Sequence, residues 1–525
     1  MSSNSEIETK PQPKPKKKKE NLKQRAYLNS VTSVLDYGSR LLTAFFVTPF
    51  LVSGLGSTLF GVWKVLGQFA GYTNLVDFKV TEVLKWAVAK DRDSVTDSQL
   101  KEYFAATFVL IMLLVPVLLI AGSVVVWYAP TITNVPAEYI NIVRIATGLL
   151  IFSLIVNKVF SIFEAVLRGM NIGFKRMGIR AFIIVLGGGF QIAAMLLGYG
   201  IVALAIIQII ITTLIGVTVC VIVVREVDWL GWTKPNFERL TSFFKTSGWF
   251  MGWAGVKMVL SNSDKILLGY VAGPAIVTKY VITYYLMRSV QGLISNIIHG
   301  VIPGIGKLFG KGEFEKLIKV RSDGLLISWI MVVSLGTAIL VINQSFTNIW
   351  IGEGEFAGQL VTLLILITIL QYLFKKIDGS IILTSLEIKQ KFYIGLLSAL
   401  TLIITALYLI KDHGIVGLCV ALVASNLVLN IGFPWILYVK TNRQHSLFSV
   451  PWRQIVITIL LWSIAYFTGL KIYLESWFLL IFTGGLVSVM ALCFTYFAGI
   501  SKSQKENLIG YFKRVNFMKG DQNLG

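Results

Sequence analysis

Fourteen apolar runs of about 20–24 residues follow one another along this 525-residue chain, with only short connections between them. A run of that length crosses roughly 30 Å of hydrocarbon at ~1.5 Å per residue. Lipid offers the backbone no hydrogen-bond partner, so each run must satisfy itself as a helix. The expected fold is an all-α polytopic membrane protein. The runs fall at 28–52, 57–78, 103–128, 138–162, 181–198, 200–224, 243–263, 275–300, 323–343, 357–376, 390–410, 414–438, 453–470 and 476–499. Charged residues make up 14% of the chain, against about 25% in soluble domains. No connection could hold a catalytic domain of about 100 residues. The three cysteines lie inside apolar runs, and the three histidines are far apart with no H-E-x-x-H or C-x-x-C partner, so no metal site and no catalytic residue is assigned. Gly306-Lys307-Leu308-Phe309-Gly310-Lys311 is one residue short of a phosphate loop and is followed by Gly312 in place of Ser or Thr.

The net charge of +21 follows the connections. Those at 79–102, 165–180, 225–245, 303–322, 375–391 and 440–453 are rich in Lys and Arg. The turns at 52–56, 129–137, 198–200 and 344–356 contain neither, with Lys265, Lys411 and Lys471 as isolated exceptions. Cytoplasmic loops collect Lys and Arg, so the alternation predicts fourteen spans with both termini in the cytoplasm, and no nucleic-acid partner is needed to explain the charge. Residues 1–27 are Pro/Lys-rich and expected to form a disordered cytoplasmic tail that touches anionic lipid.

The chain repeats itself. Gly200-Ile-Val-Ala-Leu204 recurs as Gly414-Ile-Val-Gly-Leu418, an offset of 214 that also places Glu164 on Asp378 and Asn157 on Gln371. Leu55-Gly56-Ser57 matches Ala272-Gly273-Pro274 at an offset of 217, which sets Arg40 on Lys257 and Trp63 on Tyr280. Two like-oriented six-helix lobes are therefore expected, at 28–225 and 246–440. A cytoplasmic linker at 226–245 would join them, two further helices would occupy 441–500, and a cytoplasmic tail 501–525. In transporters built from repeats, the substrate site commonly lies between them near the midplane.

Polar stripes mark that interface. Asn29, Ser33, Asp36, Arg40 and Thr43 share one helical face, as do Tyr284, Arg288, Gln291, Ser295 and His299. Trp249, Trp253, Lys257, Ser261 and Asp264 form a third stripe, and Lys64 precedes Gln68 by one turn. A charge at mid-helix costs about 2.5–3.5 kcal/mol on insertion scales, which points to a polar interior or a charged ligand. Arg40, Lys64, Lys257 and Arg288 outnumber the acids Asp36 and Asp264, so a cavity they shared would be net positive and attract an anion. Asp36 and Asp264 are candidates for ion pairing or for a coupling Na⁺ or H⁺. Trp249 and Trp253 could stack on a sugar. Glu164, Arg168, Lys375 and Asp378 recur at the ends of matching helices and are candidates for a cytoplasmic gate.

Residues 34–85, opening VLDYGSRLLTAFF, resemble the start of the bacterial O-antigen and polysaccharide flippases. FEAVLRGMNIGFKR (163–176), LSNSDKILLGYVAGPAIVTKYVITYYL (260–286) and IIHGVIPGIGKLFGKGEFEKL (297–317) resemble further positions of that family. The resemblance extends over roughly 28–500, and Lys79 departs from it where the family usually has glycine. It implies the superfamily of multidrug, oligosaccharidyl-lipid and polysaccharide exporters, two lobes around a cationic cavity, and alternating access in the bacterial cytoplasmic membrane. The implied substrate is an oligosaccharide on polyprenyl pyrophosphate, with the diphosphate on Arg40 and Arg288, helped by Lys257 and Lys64. No cofactor is implied; a polysaccharide polymerase and glycosyltransferases are the expected partners. Two alternatives remain within the superfamily, a drug/cation antiporter and a peptidoglycan-precursor flippase.

Overall fold

The computed structural model describes residues 22–76, 80–91, 95–235, 248–384, 388–441 and 451–506. The expected basic tail up to residue 21, residues 236–247 around the expected linker, Lys79 and the chain beyond 506 lie outside the described residues. Among the described residues the regular structure is helical. In chain order the α-helices are α1 (Leu22–Val76), α2 (Val80–Asp91), α3 (Asp97–Ile132), α4 (Ile140–Gly169), α5 (Phe174–Leu196), α6 (Gly200–Glu226) and α7 (Gly248–Ala272). There follow α8 (Pro274–Gly310), α9 (Phe314–Trp350), α10 (Gln359–Thr384), α11 (Ile388–Lys440), α12 (Trp452–Gly469) and α13 (Trp477–Phe494).

Two of these helices are double. α1 breaks at Gly56 (φ 67°, ψ 168°) and α11 at Gly414 (φ 52°, ψ −126°), so each supplies two arms. With the short α2 set aside, fourteen arms lie among the described residues, the number the apolar runs predict. Nine helical stretches among the described residues are long and apolar enough to cross a membrane by length and composition. α7 and α8 fall outside that nine, and they carry the polar stripe residues Lys257, Asp264 and Arg288.

The sequence repeat reappears in the backbone. Gly56 and Gly273, the first matched pair, have φ of 67° and 87°; Gly200 and Gly414, the second, have φ of 68° and 52°. A residue with Cβ is strained in that region, so a tight reversal between antiparallel arms selects glycine at the same place in each lobe. All four lie at one end of the bundle, here called the turn face. The opposite end is the basic face.

In the first lobe α4 packs on α3 and α6, and α1 on α5; in the second, α7 and α10 pack on α11, and α10 on α8 and α9. α12 and α13 both pack on α9. That wrapping explains why 78% of the most apolar window of α9 is buried, against 17–44% in the other spans. α2 was expected as part of a basic loop. It is an amphipathic helix whose Val80, Val83, Leu84, Ala87 and Val88 are buried against α3 and α4.

Between the lobes, α1 lies against α7 and α8. Thr278 Oγ1 donates to the Ser57 carbonyl at 2.6 Å, and a Cβ on Gly61 would sit 1.8 Å from the Pro274 carbonyl oxygen. Tyr285 donates to the Leu41 carbonyl (3.1 Å) and Tyr37 to the Ser289 carbonyl (3.2 Å). Pro49 supplies no N–H, which frees the Phe45 carbonyl from its helical partner; the Trp350 indole N–H fills the gap at 3.0 Å. The Phe45 ring packs among Tyr285, Phe346, Trp350 and Trp477. The lobes thus touch at the turn face, through Ser57–Thr278 and Gly61–Pro274, and again farther along the first arm of α1, at Leu41 and Tyr37.

Candidate functional site

Lys64 stands on the second arm of α1, eight residues past Gly56 and so about 12 Å from the turn face. Its ammonium lies 4.6 Å from the Phe60 ring centroid. The charges nearest in effect come from the other lobe, Arg288 on α8 and Lys265 on α7. Beside them, Lys265 Nζ lies 3.2 Å from Asp264 Oδ2, and Tyr280 donates to the same oxygen at 3.2 Å. One turn on, Tyr284 donates to Gln291 Oε1 at 2.6 Å. Three cations from the two lobes therefore act on one another here, and one of them, Lys265, holds the Asp264 carboxylate. Among the described residues neither Lys64 nor Arg288 meets a carboxylate, and Arg288 is exposed. Like charges brought together in a medium of low dielectric repel strongly. An anion would relieve that repulsion.

The four expected cations do not form one cluster. Lys64 lies in the field of Arg288; Arg40 belongs to another group. It pairs with Asp36 one turn earlier, and Arg180 Nε of α5 lies 3.5 Å from the other Asp36 oxygen. The helical spacing that put Arg40 on a stripe could not say which neighbour the stripe faces. Lys257 is exposed on α7, and no hydrogen bond or ion pair joins it to the other three. Asp264 pairs with Lys265, which the sequence reading set aside as an isolated exception among the turns.

The aromatic pair also has partners. Trp249 packs on Phe392 and Tyr393, and Trp253 on Phe433 with the Lys391 ammonium 4.6 Å from its ring centroid. Both are thereby committed to α11 in this conformation. The expected gate residues each bond within their own lobe. Glu164 meets Arg176 at 2.9 Å, Arg168 meets Glu82 at 3.3 Å, Lys375 donates to Asn426, and Asp378 receives Arg321. They brace the lobes internally here and do not bridge them. Arg321 and Arg176 were not singled out in the sequence, since each lies in a stretch that reads as a basic loop.

Comparison with known proteins supplies the wider frame. A family profile described as "Polysaccharide biosynthesis protein" matches residues 73–352, more than half of the chain. A curated relative, the "Uncharacterized membrane protein EpsK" of Bacillus subtilis (strain 168), is 22% identical over 513 residues, covering 91% of this chain and 95% of that protein. Among solved structures, the lipid II flippase MurJ in an inward closed conformation superposes with a TM-score of 0.68 at 12% identity, over 89% of this chain and 98% of that one. An inward-facing multidrug resistance MATE family transporter of the MOP superfamily gives 0.62 at 13% identity, over 79% and 99%. At such identities the likeness shows a shared fold.

Proposed function

The chain belongs to the polysaccharide biosynthesis protein family, and from that premise we propose that it is a flippase for an oligosaccharide carried on polyprenyl pyrophosphate. The observation that carries the reading is that Arg288 and Lys265 of one lobe act electrostatically on Lys64 of the other, while Lys265 pairs with Asp264. A guanidinium donates two parallel hydrogen bonds, which suits a phosphate, and an ammonium adds a compact positive charge. The diphosphate would bridge the lobes while the polyprenyl tail stays in lipid between them. With the basic face cytoplasmic, the Ser57–Thr278 contact lies on the outer side, and transport requires it to part. Outward movement of the anion runs with an inside-negative potential, which supplies about 2.3 kcal/mol per charge per 100 mV. Asp264 is the better placed of the two acids to couple a Na⁺ or H⁺, because it pairs with Lys265, whose charge acts on Lys64. Glycosyltransferases would deliver the substrate and a polymerase would receive it.

A drug/cation antiporter would need an excess of acid at this place, and the charge balance opposes it. A peptidoglycan-precursor flippase uses the same headgroup chemistry and is separated by complementation. In a strain lacking this gene, Arg288→Ala should cut surface polysaccharide at least tenfold at equal protein level, with Arg288→Lys intermediate. Wild-type polymer in Arg288→Ala would overturn the mechanism. Rescue of a peptidoglycan-flippase depletion strain would move the substrate assignment to that class.

A further inference from the structure

Three arginines of the first lobe gather around two acids. Arg40 pairs with Asp36, Arg180 Nε approaches the second Asp36 oxygen only to 3.5 Å, and Arg176 Nη2 bonds Glu164 Oε1 at 2.9 Å. Arg180 lies in the field of the other four groups at once. The bonding is incomplete. Arg176 is 6% exposed, yet its Nε and Nη1 have no acceptor, and Arg180 Nε and Asp36 Oδ1 are likewise buried without a hydrogen-bond partner. A buried charged donor lacking an acceptor is costly, most of all in apolar surroundings. Arg40 is half-exposed and gives the cluster an open side. We infer that Arg40, Arg176 and Arg180 form an oxyanion site for a phosphate group, filled in this conformation by the Asp36 and Glu164 carboxylates that the phosphate displaces.

Arg40 lies sixteen residues before Gly56, about 24 Å from the turn face and twice the depth of Lys64. If the flippase reading holds, on which this clause alone rests, the site receives the diphosphate before Lys64 and Arg288 do. The same phosphate chemistry is offered by a polyprenyl diphosphate, by an anionic phospholipid headgroup and by free phosphate.

The test uses the full chain in nanodiscs of zwitterionic lipid, with Lys64→Ala and Arg288→Ala in the background so that only this site reports, titrated with inorganic pyrophosphate. Arg180→Ala and Arg176→Gln should each weaken binding at least tenfold, and Arg180→Lys less. Asp36→Asn, which removes the competing carboxylate at constant size, should tighten binding several-fold. A merely structural role would not produce that gain, so Asp36→Asn decides the matter even if an arginine variant fails to fold. Unchanged affinity in both Arg180→Ala and Asp36→Asn overturns the site. Competition by phosphatidylglycerol in the disc assigns the occupant to a headgroup, and competition by polyprenyl pyrophosphate alone assigns it to the lipid-linked substrate; either supports a phosphate site. If Arg180→Ala weakens binding while Arg288→Ala leaves surface polysaccharide intact, this site stands and the flippase reading falls. The converse result spares the flippase reading only.

Discussion

Arg321 and Asp378 meet inside the second lobe through two hydrogen bonds, Nε to Oδ1 at 2.5 Å and Nη2 to Oδ2 at 2.8 Å, and both side chains are buried. Removing one partner leaves the other charge uncompensated in a dry interior, a loss of about 3–5 kcal/mol. Asp378→Ala should therefore lower thermal stability in detergent markedly. The double change Arg321→Met with Asp378→Leu should recover most of it, and a double variant no better than the single would contradict this account. Pro49 and Trp350 are coupled in another way, through the Phe45 carbonyl. In the native chain Trp350→Phe should cost about 1 kcal/mol of stability. In a Pro49→Ala background, where residue 49 regains its N–H, the same change should cost far less. Equal costs in a double-mutant cycle would show that the indole bond is incidental.

At the scale of the element, α1 joins the lobes. Its first arm belongs to the first lobe through α5, yet presents Tyr37, Leu41 and Phe45 to α8 and α9 of the second. Its second arm approaches α8 so closely at Gly61 that no side chain fits. Gly61→Val should prise the turn face open, and a Thr278→Cys reporter should then react faster with a membrane-impermeant thiol reagent. An unchanged rate would show that the approach is not what shuts that face. α2 carries a lesson about reading loops. Its basic residues marked it as a connection, while Val80, Val83, Leu84, Ala87 and Val88 repeat at helical spacing. The apolar period was legible beneath the charge.

At the scale of the molecule, the two repeats touch across the turn face as well as farther along α1. Joining Ser57→Cys to Thr278→Cys, whose parent residues are hydrogen-bonded across the lobes, should hold that end closed. Surface polysaccharide should fall to the level of a null strain and return on reduction of the cross-link. Transport that persists with the cross-link in place would mean that the lobes need not part there.

Hydropathy determined most of the arms among the described residues, because lipid gives a backbone no alternative to the helix. The matched glycines determined the repeat, because a reversal at positive φ admits little else. The site was legible only in part. Spacing placed Arg40, Lys64, Lys257 and Arg288 on polar faces, but a helical face can turn toward either lobe, toward lipid or toward a neighbour within its own lobe. Packing decided that Lys64 lies in the field of Arg288 while Asp36 holds Arg40 and draws in Arg180. Pairing of charges depends on distance through space, and periodicity along one helix records only direction around its axis.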